Sequence, residues 1–180
     1  MKTLPERIIL IGFMGSGKSS VGRILADRLG YELVDTDALL EERAGAPIAE
    51  IFRAQGEPAF RALESEVLRA VADRRRSVIA TGGGAPAHPP NRDFFTRGDA
   101  IFHLRVSLET ARERAGEKAD RPLLAQDPEA VRRLYQGRQP VYEELGQSVD
   151  TDGRTPAAVA AEIMRLLRSP RRNLLPEESG

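Results

Sequence analysis

Apolar residues along the chain fall into two patterns, short unbroken runs and stripes that recur every three or four positions. The run Arg7-Ile8-Ile9-Leu10-Ile11 is continuous rather than alternating, which predicts a strand buried on both faces. Glu32-Leu33-Val34-Asp35, Ser77-Val78-Ile79-Ala80 and Ala100-Ile101-Phe102-His103-Leu104 predict further strands, and Ser148-Val149-Asp150 a short last one. Between them the spacing is helical. Val21, Leu25 and Leu29 share one stripe over Lys18 to Leu29, with Gly30 as the stop signal. Phe60, Leu63, Val67, Leu68 and Val71 predict an amphipathic helix over residues 57 to 73. Residues 107 to 115 and 128 to 138 also read as helical, and Pro140 is expected to interrupt the second just beyond Arg138. A final helix from Thr155 to Leu167 turns Ala160, Ile163, Met164 and Leu167 inward.

Strands separated by helices imply right-handed crossovers and a parallel sheet covered on both faces, an α/β fold. In such sheets ligands gather at the carboxyl ends of the strands. The candidate motifs fall just after those strands, or on helices able to lean over that edge. With 180 residues the chain fits a single domain, expected over residues 1–168, followed by a tail at residues 169–180 that lacks periodicity and is expected to be disordered.

Gly12-Phe13-Met14-Gly15-Ser16-Gly17-Lys18-Ser19 matches the phosphate-binding pattern G-x-x-x-x-G-K-[ST] in full. It also sits in the required context, between a buried strand and a helix. Glycines let the backbone turn its N–H groups toward a polyphosphate, and the helix that follows offers its positive end. Lys18 reaches the β- and γ-phosphates, and the Ser19 hydroxyl is a ligand for Mg²⁺. The pattern identifies a nucleoside triphosphate site without choosing among GTPases, motor ATPases and kinases. A chain of this length has no room for the modules of most motors, and no Asn-Lys-x-Asp guanine-reading sequence is present. A small phosphotransferase is the expectation.

Composition narrows the class further. Forty-one per cent apolar and thirty per cent charged residues are ordinary for a soluble domain. No apolar run approaches the ~20 residues of a membrane span. The absence of cysteine excludes disulfides and thiol chemistry and fits a reducing cytoplasm, the expected location. Twenty-seven basic and twenty-seven acidic residues cancel, so no global field draws in nucleic acid or anionic lipid. No partner chain is demanded, and a monomer is expected.

Four further features lie near the strand ends. Asp35-Thr36-Asp37 closes the second strand; in an extended segment both carboxylates face one side. One would assist Mg²⁺ through water, and the other would accept a hydrogen bond from, or a proton of, an attacking hydroxyl. The competing role is to cap a helix at Ala38-Leu39-Leu40. Thr81-Gly82-Gly83-Gly84 supplies no side chains for packing beyond its threonine and permits unusual dihedrals or close approach of a ligand, the alternative being a flexible turn. Arg61 and Glu64 stand one turn apart, either a carboxylate grip held in place or a surface ion pair. Residues 115–124 have the composition of a lid, with Arg121 able to close on phosphates, or of a plain surface loop. His88 and His103 lack metal-ligand spacing. Arg138 by itself reads as solvated surface.

Taken together, the phosphate loop, Asp35-Thr36-Asp37, Phe60-Arg61 to Glu64, Thr81-Gly82-Gly83-Gly84, Arg121-Pro122-Leu123-Leu124 and Arg138-Gln139-Pro140-Val141-Tyr142 resemble shikimate kinases in order and spacing over residues 7–168. The resemblance implies a three-layer α/β/α fold with a five-stranded parallel sheet of nucleoside-monophosphate-kinase type, with a lid. It implies transfer of the ATP γ-phosphoryl group to the 3-hydroxyl of shikimate, in aromatic amino-acid biosynthesis. Its shikimate positions match Asp37, Arg61, Gly82, Gly83 and Arg138. Its nucleotide positions match Met14, Gly15, Ser16, Gly17, Lys18, Ser19 and Arg121, with Arg114 and Arg154 near the base. Ser19 and Asp35 match the Mg²⁺ positions, and Lys18, Asp37 and Arg121 the catalytic ones. Another small-metabolite kinase of the same architecture, such as a gluconate kinase, is one rival, and a catalytically silent nucleotide-binding regulator that retains the loop is the other.

Overall fold

The run of isoleucines and leucine predicted as a doubly buried strand is the central strand β1 (Arg7–Ile11), with every residue buried. The computed structural model describes residues 4–96, 100–116 and 127–168. Around β1 lie β2 (Glu32–Asp35), β3 (Ser77–Ala80), β4 (Ala100–Arg105) and β5 (Gln147–Asp150), in the order β2-β3-β1-β4-β5. All four pairings are parallel. Register levels the strand ends: Asp35 pairs with Ala80, and Ala80 with Leu10. The loops that follow β1, β2 and β3 therefore leave the sheet side by side.

Helices α1 (Lys18–Leu29), α2 (Thr36–Ala44), α3 (Ile48–Val71), α4 (Leu108–Gly116), α5 (Pro128–Leu145) and α6 (Pro156–Arg168) connect and cover the strands. The two faces of β1 show the layering directly. Ile8 and Leu10 pack with Val21 and Leu25 of α1 and Val159 and Ile163 of α6. Ile9 and Ile11 pack on the other side with Leu68 and Val71 of α3 and Val131 and Tyr142 of α5. Each such side chain contributes about 1.5–3 kcal/mol by leaving water. The expected three-layer α/β/α arrangement, with five parallel strands, is the one observed.

Three local expectations are corrected. The helix expected over 57 to 73 is the second part of α3, which begins at Ile48 and is broken at Gly56, where φ is 79°. Pro58 falls in the first turn after that break, where proline needs no hydrogen-bond donor. Helix α5 does not stop near Arg138 but passes Pro140 and runs to Leu145. An interior proline costs about 3 kcal/mol, and burial of Tyr142 beyond it, with partly buried Leu145 packed on the same core, offsets that cost. Third, Asp37 is not extended: Thr36 and Asp37 open α2. Of residues 115–124, expected to form a lid, Ala115 and Gly116 end α4, whereas 117–124, Arg121 among them, lie outside the described residues, as does the expected tail 169–180.

Candidate active site

At the end of β1 the phosphate loop turns through left-handed glycines, with φ of 75° at Gly15 and 90° at Gly17. It is held close to its neighbours: a Cβ on Gly12 would stand 2.6 Å from Leu104 O, and one on Gly15 2.7 Å from Ala111 O. Side chains at either position would push the loop off β4 and α4. Lys18 Nζ donates to Gly12 O (2.8 Å), Phe13 O (3.0 Å) and Ser16 Oγ (3.3 Å), which keeps the ammonium at the loop itself. Arg114 Nη1 donates to Gly15 O at 3.2 Å, and its Nη2 donates to Thr151 O at 2.8 Å. This arginine thus ties the phosphate loop to the turn after β5.

Across the cleft, Asp35 does two jobs at once. Its Oδ1 accepts from Asp37 N and Ala38 N and so caps α2. Its Oδ2 accepts from Ser19 Oγ at 2.6 Å. Capping, set against a site role in the sequence, does not exclude one, because a carboxylate has two oxygens. The Ser19–Asp35 pair is a hard-oxygen set open to solvent, suited to an ion that keeps most of its water and takes one or two protein ligands, as Mg²⁺ does. Among the described residues no cluster of three or more His, Cys, Asp or Glu side chains offers a fuller metal cage.

The triple glycine after β3 is where the remaining side chains meet. Gly82 N donates to Thr36 Oγ1 at 3.1 Å, pinning the β3 exit to the β2 exit. A Cβ on Gly82 would lie 2.7 Å from Asp37 Oδ1 and 3.1 Å from Glu64 Oε1. A Cβ on Gly84 would lie 2.5 Å from Arg61 Nη1 and 3.0 Å from Arg138 Nη2. Gly83 stands between them, its Cβ position 3.3 Å from Gly12 O and 3.6 Å from Met14 N of the phosphate loop. A side chain at Gly82 or Gly84 would have to displace the charged ends of Asp37 and Glu64 or of Arg61 and Arg138, which crowd the backbone here. Asp37 thus stands beside Gly82 although it lies in the first turn of α2.

Arg61 and Glu64 form no surface pair. Arg61 Nη1 donates to Glu64 Oε2 at 2.8 Å, and Glu64 is only 3% exposed. Burial pushes the Glu64 carboxyl above its ordinary value, and Arg61 and then Arg138 oppose that shift. Glu57 accepts from the other edge of the Arg61 guanidinium (3.3 and 3.2 Å). Arg138 corrects the reading of a solvated arginine. It is 7% exposed and lies over the Phe13 ring at 5.8 Å, a position that only the packing of α5 across the β1 loop creates.

Other residues named from the sequence lie on the surrounding elements. Arg154, expected near the base, donates to Asp150 O and Ala158 O and pairs with Glu162, along the start of α6. His88 lines a groove outside Arg61 with Glu57, Ser65 and Arg69. His103 is structural, as expected: it is buried, its Nδ1 is 3.2 Å from Ser148 Oγ, and its ring packs on Tyr142 at 5.0 Å. Glu57 was given no role from sequence, and Thr36, Gly84 and Tyr142 entered only as members of motifs, without a role of their own. For Tyr142 a signal existed, since it stands one helical turn beyond Arg138.

A shikimate kinase family model matches residues 14–168. The chain is 46% identical over 167 residues to the shikimate kinase of Moorella thermoacetica, spanning 92% of this chain and 96% of that one. It is 41% identical over 162 residues to the shikimate kinase of Thermodesulfovibrio yellowstonii, spanning 89% and 94%. Among solved structures, shikimate kinase from Acinetobacter baumannii in complex with shikimate superposes with a TM-score of 0.87 at 37% identity, over 92% and 93% of the two chains.

Proposed function

The chain belongs to the shikimate kinase family, and we propose that its cleft phosphorylates shikimate with the residues gathered at Gly82–Gly84. The reaction moves the γ-phosphoryl group of ATP to the 3-hydroxyl of shikimate and leaves ADP and shikimate 3-phosphate. One observation carries the assignment of residues: Arg61 and Arg138 converge on Gly84 while Asp37 stands at Gly82, beside the phosphate loop. Two guanidinium groups suit a carboxylate, and an aspartate a few ångströms away suits hydroxyls. Shikimate is an anion bearing three hydroxyls.

In that arrangement Arg61 and Arg138 bind the substrate carboxylate, and Glu64 keeps Arg61 from turning away. Asp37 accepts the hydrogen bond of the attacking hydroxyl, aligning its lone pair with the γ-phosphorus. The loop amides of residues 14–19 and Lys18 hold the phosphates and balance charge as it shifts to the β–γ bridging oxygen. Arg121, by resemblance, adds positive charge from the lid side, and Arg114 supports the nucleotide by fixing Gly15. Ser19, and Asp35 through water, would hold Mg²⁺, which supplies charge neutralisation on the polyphosphate. Catalysis is then positioning and electrostatics rather than covalent chemistry. We place the enzyme in the cytoplasm as a monomer acting on small molecules. Among the described residues no helix is long and apolar enough to cross a membrane.

A coupled ADP-release assay with shikimate, gluconate and nucleoside monophosphates in parallel tests the acceptor. Turnover is expected with shikimate alone. Turnover with gluconate but none with shikimate would overturn the acceptor while leaving the phosphate site intact.

A further inference from the structure

Tyr142 heads the fully buried side chains by size, with no exposed surface, and the chemistry above gives its hydroxyl no part. Core packing needs the ring but not the oxygen. The ring is accounted for by the tilted stack on His103 and by the cluster on the α3/α5 face of the sheet. The oxygen is aimed elsewhere. Tyr142 Oη donates to Gly83 O at 2.5 Å, 59 residues away in sequence. A buried phenol commonly finds a partner, but this partner is the carbonyl at the centre of the triple glycine.

That contact has a geometric consequence. In a planar trans peptide the C=O and the next N–H point in opposite directions. Anchoring Gly83 O to the core below therefore sets the direction of the Gly84 N–H. Gly84 is also the residue on which Arg61 Nη1 and Arg138 Nη2 close. Arg138 and Tyr142 lie four positions apart on α5, one above the other on the same face. The Arg138 guanidinium comes up to the same peptide, its Nη1 3.6 Å from a Cβ placed on Gly83 and its Nη2 3.0 Å from one placed on Gly84.

We propose that Tyr142 is a positioning residue for the acceptor: its hydroxyl fixes the Gly83–Gly84 peptide and steadies Arg138 above it, so that the carboxylate seat is formed before substrate arrives. The inference rests on the reading of Arg61 and Arg138 as carboxylate ligands. Burial pushes the phenol up to about 12, so the hydroxyl remains a donor throughout the working range and the effect carries no pH dependence of its own. Glycines leave this peptide free to rotate, and the tyrosine removes that freedom from below without adding an atom to the cleft.

Tyr142→Phe keeps the ring and deletes the oxygen. The KM for shikimate is expected to rise about three- to tenfold, the loss of one buried hydrogen bond, while the KM for ATP stays within about twofold. The ratio is expected to be the same at pH 6.5 and pH 8.5. A shikimate KM within about twofold of the native value, whatever the change in melting temperature, would overturn the proposal and leave Tyr142 a core residue. Arg138→Lys and the double variant provide the second measurement. Coupled residues give a double-variant KM well below the product of the single effects, and a strictly multiplicative result also overturns the proposal. Failure of the native chain to use shikimate overturns the acceptor reading itself, and that control precedes any variant.

Discussion

Ser19 Oγ donates to Asp35 Oδ2 at 2.6 Å and so joins the first turn of α1 to the end of β2. The same aspartate caps α2 through its other oxygen. Asp35→Asn separates the two tasks, because asparagine caps a helix about as well as aspartate but is a poor partner for a cation. The expected outcome is an unchanged melting temperature together with a rise of about ten- to hundredfold in the Mg²⁺ concentration needed for half-maximal turnover. Equal Mg²⁺ requirements in the two proteins would remove Asp35 from the metal site.

Gly84 faces two guanidinium groups at the distance of a clash. Both are ends of flexible side chains, so Gly84→Ala displaces them rather than the backbone. The KM for shikimate is expected to rise about five- to hundredfold, the cost of overpacking, with the KM for ATP little altered. Gly82→Ala presses on Asp37 instead and is expected to lower kcat as well. Steady-state kinetics on both substrates checks the pair.

Arg61 is the partner that compensates the buried Glu64. Arg61→Ala therefore removes a proposed substrate ligand and strands a carboxylate. Stability is expected to fall by about 3 kcal/mol in urea denaturation, and shikimate use to fall while ATP affinity is retained. Adding Glu64→Gln to Arg61→Ala should restore most of the stability and none of the shikimate affinity. Recovery of both together would mean that the loss of activity was a folding defect.

His103 is buried and its pKa is pushed down from 6.5 to about 4, first by burial and then by the nearby Arg105 and Lys18 charges. The folded state binds this proton less readily than the unfolded chain. Its contribution is therefore fully present above 6.5 and is lost as pH falls toward about 4, by about 3 kcal/mol at most. Glu64 works with the opposite sign, since its raised pKa favours the folded state on the acid side and is lost as pH rises beyond the folded value. His103→Gln is expected to flatten the decline in stability between pH 6.5 and pH 4.5 relative to the native protein. Parallel slopes in urea titrations across that range would show that other groups set the acid limit.

Much of this molecule was legible because its signals are local. The strand at Arg7–Ile11 and the helix from Lys18 to Leu29 announce themselves by spacing, and the loop between them by its glycines and lysine. What spacing could not reveal was the surroundings of isolated charges. Arg138 has no sequence neighbour that marks it as buried; Phe13, Gly83 and Gly84, which enclose it, lie far away in the chain. The proline at 140 misled for the same reason: propensity opposes the helix locally, and the core beneath Tyr142 overrides it.

The sequence by itself determined that a polyphosphate loop follows a doubly buried strand, and that acidic, basic and glycine residues follow the neighbouring strands. These are properties of a few adjacent residues, and backbone sterics and periodicity are sufficient to read them. Only the tertiary structure decided that the separate motifs stand together. Parallel register brings Asp35, Ala80 and Leu10 level, so that Thr36 can receive the Gly82 amide and α3 and α5 can lay Arg61 and Arg138 over Gly84. Charges of like sign do not gather unless burial of the apolar faces beneath them, and a carboxylate such as Glu64, compensates their repulsion. That balance belongs to the folded chain and to no segment of it.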